Sequence, residues 1–182
     1  MYVKRIVITG YRASELGIFQ ATDKKITIIK KSLTSQVRQF IEDGYQWFLV
    51  GGNLGIEVWG GEVVLDLKKE YPEIKLGVLF PYLEFGSNWN ESNQQLRDNL
   101  VAKADYVGSV SHAPYQNKAQ LQNHSQFLLT HSDASFVIYD EEYIGKCQHF
   151  YKQARRYEER ADYVVYQLTM DDLQNSVWAD GF

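Results

Sequence analysis

The sequence predicts a doubly wound α/β domain of three layers, with a mainly parallel sheet of about six strands and helices on both faces. Three observations carry this. Short continuous apolar runs recur along the chain, each closed by Gly, Pro or polar residues, which is the pattern of strands buried on both faces. Longer stretches between them place apolar residues three and four apart, as crossover helices require. The two kinds of segment alternate throughout. The 182 residues, 45% hydrophobic and 23% charged, suffice for one sizeable core, so residues 1–182 are read as a single domain.

The elements follow in order. "RIVITG" (5–10) is the first strand, and the stretch from 24 to 44 the first helix, with Ile26, Ile29, Leu33, Val37, Phe40 and Ile41 on one face and Gly44 as its stop. "WFLVGG" (47–52) precedes a helix over 54–71, and "KLGVLFP" (75–81) one over about 91–104. "DYVGSVS" (105–111) leads to a helix over 117–131, and "ASFVIYD" (134–140) to one over 146–161. "DYVVYQLT" (162–169) closes the set. No internal repeat, low-complexity tract or linker interrupts it.

Composition narrows the function classes. A net charge of −4 and a pI of about 5.6 give no global footprint for tracking phosphates, so nucleic acid is not the expected partner, although a local basic patch is compatible with these totals. The sole cysteine, Cys147, cannot form an internal disulfide, and no Cys/His group has zinc spacing, so no metal is expected. "MYVKRIVITG" is too short an apolar run for a signal peptide, and nothing approaches the ~20 apolar residues of a membrane span. A cytoplasmic protein is the expectation.

Ligands of open α/β sheets bind beyond the carboxyl ends of the strands, which directs attention to the strand exits. After the second strand, Gly51 and Gly52 permit a tight turn or a close ligand approach. Asn53 can cap the next helix, whose positive end favours an anion. The dinucleotide fingerprint is excluded because it belongs after the first strand, and the Walker loop because 54–57 contain no G-K-[ST]. The glycines are explained either by tight packing or by a phosphate cradle. Glu57 is either a partner of the helix dipole, contributing ~0.3–1 kcal/mol, or a carboxylate facing a ribose or a glycosidic bond.

At the first exit, Thr9 and Gly10 lead to Tyr11, an aromatic face, and Arg12, a guanidinium suited to phosphate. "ELGIF" beyond them is either a cover for the core or a flap. Pro81 and Tyr82 leave the third strand, with Trp89 before the next helix; Ser111, His112 and Tyr115 leave the fourth; Asp140 closes the fifth. His112 offers acid/base chemistry or a bond to phosphate. Asp140 either lines the rim or caps the next segment.

Together "VITGYRASELGIF", "VGGNLGIEVWGGEVVLDL", "LFPYLEFGSNWNE", "SHAPYQ" and "LTMDDL" resemble the YpsA-like proteins of Firmicutes, a branch of the SLOG superfamily, from Lys4 to about Leu173. The resemblance implies a Rossmann-like fold and a pocket for a nucleotide or nucleotide-derived ligand, such as an ADP-ribose-like compound. It puts the superfamily's phosphate loop on Gly51, Gly52 and Gly55 and its acidic helix-start residue on Glu57, and adds Trp59. Residues two apart on a helix diverge by about 200°, so Glu57 and Trp59 should not both face one ligand.

The P-G-G-x-G-T-x-x-E pattern of the superfamily's phosphoribohydrolases is not reproduced, and "GGNLGIE" is closer to the S-G-x-x-x-G-I-D loop of DprA, one residue shorter. "GKCQHFYKQARR" replaces a Gly/Thr-rich helix start, so contacts from that side are not expected. Three readings follow: a regulatory protein sensing a nucleotide derivative, with a cell-division protein as the partner that the resemblance suggests; an N-glycosidic or phosphoribosyl hydrolase with Glu57 as acid/base; and a DprA-like binder of single-stranded DNA. Tyrosines or "ELGIF", if exposed, could also form a homo-oligomer interface.

Overall fold

The computed structural model describes residues 2–179. It contains six strands, β1 (Lys4–Gly10), β2 (Tyr45–Val50), β3 (Lys75–Phe80), β4 (Tyr106–Ser109), β5 (Ala134–Ile138) and β6 (Val164–Leu168). All pair in parallel in the order β4-β3-β2-β1-β5-β6. The chain therefore winds outward from β1 to β4 and resumes on the other side of β1 with β5. That reversal between β1 and β5 is the topological switch point, where the crossovers diverge and a crevice opens at the carboxyl ends.

The helices are α1 (Lys24–Glu42), α2 (Ile56–Leu67), α3 (Glu91–Lys103), α4 (Ala119–Thr130), α5 (Gln148–Arg160) and α6 (Met170–Ala179). Helix α1 packs on α2 and α6, and α2 on α3, while α4 packs on α5. Right-handed crossovers dictate this split, because winding direction changes after β4 and puts α4 and α5 on the opposite face. Five helices and all six strands match the sequence reading to within a few residues. Helix α6 is additional.

The centre of the sheet is buried on both faces: Ile6, Ile8, Phe48, Val50, Leu76, Val78 and Phe136 on one, and Val7, Leu49, Ser135 and Val137 on the other. The alternating faces of such strands pack against both helix layers, which is why these segments read as unbroken apolar runs. Helix α2 is the most deeply embedded, with Gly60 against Ile8 and Gly61 against Leu100. Small residues there let the helix sit close to the sheet and to α3. Trp59 belongs to this core at 5% exposure, so the helix geometry that sets it apart from Glu57 has turned it inward.

Among the described residues, no helix is long and apolar enough to cross a membrane. The "ELGIF" segment starts with a single 3-10 turn, Ala13–Leu16, and Gly17 at φ +69°. Ile18 then inserts into the core while Phe19 remains exposed. The segment is a cover for the core and does not line the cleft described below.

Candidate functional site

The exits of β1, β2 and β3 open into a cleft of about 760 Å³, walled by α4 and α5. Thr9, Gly10 and Arg12 enter from β1, Gly51, Asn53 and Glu57 from the β2–α2 turn, and Pro81 and Tyr82 from β3. Tyr115 completes the group of residues expected from the sequence that the fold brings together. This volume lies within the ~300–1,000 Å³ of small-molecule sites.

The β2–α2 turn is organised around Glu57. Its Oε1 accepts from the Asn53 N–H (3.3 Å) and its Oε2 accepts from the Thr9 hydroxyl (3.1 Å). Other amides of the turn are also engaged. The Leu54 N–H donates to Asn53 Oδ1 (3.1 Å) and the Ile56 N–H to the Tyr11 carbonyl (3.1 Å). Glu57 thus supplies the negative charge that the turn and the start of α2 attract. A phosphate about 4 Å from it would be opposed by about 4 kcal/mol per unit charge at an effective dielectric near 20.

Burial pushes the Glu57 carboxyl above its ordinary range, while the bonds from Asn53 and Thr9, the Gly51 amide and the nearby Arg12 charge pull it back. Desolvation is the larger effect. Beside it, His124 of α4 reaches across so that a Cβ on Gly51 would lie 2.6 Å from Glu57 Oε1 and 2.9 Å from His124 Cε1. Glycine at 51 is what lets both side chains meet over the turn. His124 Nε2 is 2.6 Å from the Leu79 carbonyl, which can only accept, so that nitrogen carries the proton. Burial holds the imidazole down to about 4, and it is neutral at physiological pH.

The other glycines have different reasons. Gly55 has φ +103°, and a Cβ there would lie 2.5 Å from both the Tyr11 carbonyl oxygen and the Ala13 nitrogen. Gly52, at φ +86°, faces the Phe80 ring. Both lie outside the cleft lining, and at both the missing Cβ permits close packing. Gly10 likewise lets the end of β1 approach the Ile138 carbonyl of β5.

Several residues expected at the site lie elsewhere. Tyr11 is buried at 3% exposure, and its hydroxyl donates its one proton to the Tyr143 carbonyl (2.6 Å), with the Asp140 carbonyl 3.0 Å away, and accepts from the Asp140 N–H. It ties β1 to the β5–α5 loop and offers no free aromatic face. Asp140 is a cap, accepting from the Glu142 and Met170 N–H groups. Ser111 accepts from Gln120 Nε2 (2.9 Å), His112 is exposed outside the cleft, and Trp89 packs on Phe85 and covers Gly86. Tyr82 does reach the rim, 5.2 Å from Tyr115 and 5.3 Å from Phe85 between ring centroids. Phe85 lines the cleft too, which gives the rim three clustered rings.

One wall of the cleft that the sequence did not suggest is that of α5. "GKCQHFYKQARR", from which no contact was expected, contributes Lys146, Cys147, His149, Lys152, Gln153 and Arg156 to the lining. Helical spacing explains it: Phe150, Tyr151 and Ala154 are buried against the sheet, and His149, Gln153 and Arg156 follow one another along the cleft. Lys118 joins them from the start of α4. The lining therefore holds five Lys or Arg side chains and one carboxylate, a local positive balance within an acidic chain. Burial and the carboxylates of Glu15 and Glu57 push the Cys147 thiol up to about 12, so it is not a thiolate nucleophile. No group of three or more metal-ligating side chains occurs among the described residues.

Fold, switch-point crevice and cleft define a Rossmann-like α/β protein with its candidate site at the carboxyl ends of the strands. Residues 6–173 match the sequence profile of the YspA SLOG family, also written YpsA, and the chain belongs to that family. A UPF0398 protein of Enterococcus faecalis is 53% identical over 96% of this chain and 97% of its own length. One from Lacticaseibacillus casei is 42% identical over 98% and 94%. Among solved structures, DNA processing protein A from Helicobacter pylori, described for its single-stranded DNA binding mode, superposes with a TM-score of 0.57. It is 15% identical, covering 98% of this chain and 73% of that one, and the likeness is one of fold.

Proposed function

We propose that this chain is a regulatory protein that binds a nucleotide-derived small molecule, of the ADP-ribose type, in the carboxyl-end cleft. The observation that carries the reading is the convergence on one cavity of a fixed carboxylate, clustered aromatic rings and unpaired cations. Glu57, oriented by two hydrogen bonds, is suited to accept from ribose hydroxyls. Tyr82, Phe85 and Tyr115 offer stacking surfaces for a base. The cations suit phosphate. A cell-division protein is the proposed macromolecular partner, on the family resemblance alone.

A ligand that binds only the folded protein stabilises it by about 2.7 kcal/mol at a hundredfold excess over Kd. For a domain of this size that raises Tm by roughly 5–10 °C. A thermal-shift screen of nucleosides, nucleotides and ADP-ribose should therefore contain clear positives, and a flat panel would remove the proposal. The hydrolase reading is favoured by the upward push of burial on Glu57, which suits a general acid. Chromatography of the same panel decides it: turnover by the native protein, lost in Glu57→Gln, supports an enzyme, and none supports a binding protein.

A further inference from the structure

Building on the proposed nucleotide site, we infer that the phosphates of the ligand are held by the cations of α5 and α4, not by the glycine turn, and that the ligand carries at least two phosphates. Three amides of the turn are already committed. Its Asn53 amide serves Glu57, its Leu54 amide serves the Asn53 side chain, and the first amide of α2 serves Tyr11. Placing phosphate there would set it against the carboxylate that organises the turn.

The opposite wall has the reverse character. Lys118, Lys146, Lys152 and Arg156 line it, with Arg12 at the β1 exit, and none of the five lies within ion-pair distance of a carboxylate among the described residues. Elsewhere the described lysines and arginines form eight such pairs, so this chain's acidic residues find partners but leave these cations to the cleft. Two of the cations are also anchored. Glu15 accepts the Arg12 N–H on one oxygen and the Lys146 N–H on the other, both at 2.8 Å, and so clamps the β1 exit to the start of α5. Five positive charges around a cavity of about 760 Å³ exceed what one phosphate can engage and match a diphosphate or longer chain.

The test is calorimetric titration of the native protein and of Lys152→Gln/Arg156→Gln with adenosine, AMP, ADP and inorganic pyrophosphate, with Lys152→Arg/Arg156→Lys as the charge-conserving control. We expect ADP to bind at least tenfold tighter than AMP, the neutral double variant to lose tenfold or more for ADP and pyrophosphate, and the conservative one to retain both. Adenosine affinity should not change. ADP binding that is indifferent to the α5 variants would overturn the phosphate assignment while leaving the nucleotide site standing. Pyrophosphate binding that depends on α5, with no nucleotide bound, would retain the phosphate assignment and remove the nucleotide reading; no binding of any probe would remove both. A single-stranded oligonucleotide that outcompetes ADP at physiological salt would overturn the small-molecule assignment.

Discussion

Gly55→Ala should be among the most damaging single substitutions in this protein, and the geometry says by how much. Residue 55 sits at φ +103°, ψ −133°, a region that costs a side-chain-bearing residue on the order of 1–3 kcal/mol. The added methyl would stand 2.5 Å from two backbone atoms, the Tyr11 oxygen and the Ala13 nitrogen. Those atoms cannot withdraw cheaply. The Tyr11 carbonyl accepts the Ile56 N–H, and the Tyr11 hydroxyl is fixed to Asp140 and Tyr143. Forced repacking of this kind costs about 1–3 kcal/mol, for a total of roughly 2–6 kcal/mol. Typical domains have only ~5–15 kcal/mol in all. In urea, with a slope of about 2 kcal/mol per M, the midpoint monitored by circular dichroism should fall by roughly 1–3 M. A loss below about 1 kcal/mol would refute the claim that Gly55 is required by the packing of the β1 exit on α2. Gly51→Ala should cost less, because its added methyl meets the ends of the Glu57 and His124 side chains and no backbone.

Three further outcomes are expected. His124, held down to about 4, stabilises the fold fully above pH 6.5, and about 3 kcal/mol should be lost as pH falls through the folded value; His124→Gln should abolish that acid-side loss in urea midpoints. Glu57 has the opposite sign: its carboxyl is raised from 4.5, so stability declines as pH rises from there through the folded value, and Glu57→Gln should flatten that decline. Identical pH slopes in these variants and the native protein would contradict both assignments. Glu15→Ala, which removes two bonds to exposed loops, should cost on the order of 1 kcal/mol in stability and speed amide exchange at Arg12 and Lys146; unchanged exchange there would show that the clamp is not needed.

The sheet was legible because burial on both faces leaves its signature in consecutive residues such as 6–10 and 134–138. Helix α6 was missed although "MDDLQNSVWA" places Met170, Leu173, Val177 and Trp178 at helical spacing, a stripe of fewer than three turns. The strand exits of the site were legible for the same topological reason, and Thr9, Arg12, Gly51, Asn53, Glu57 and Tyr82 meet in the cleft. Their individual roles were less so. Whether Gly55 frees space for a ligand or for another loop depends on Tyr11, 44 positions earlier. His124 and the α5 cations were missed because helix walls come from distant sequence. A signal did exist: in "CQHFYKQARR", the buried Phe150, Tyr151 and Ala154 leave His149, Gln153 and Arg156 on a shared polar stripe.

The central claim is that a nucleotide-type ligand occupies the carboxyl-end cleft, and amide chemical-shift mapping of ADP-ribose added to the native protein tests it most directly. Saturable shifts are expected at Thr9, Gly51, Asn53 and Glu57 and along 146–156, while the separate groove that Lys30 of α1, Glu62 of α2 and Asn99 of α3 line stays unaffected. Shifts confined to that helical face, or none at a concentration of several millimolar, would contradict it.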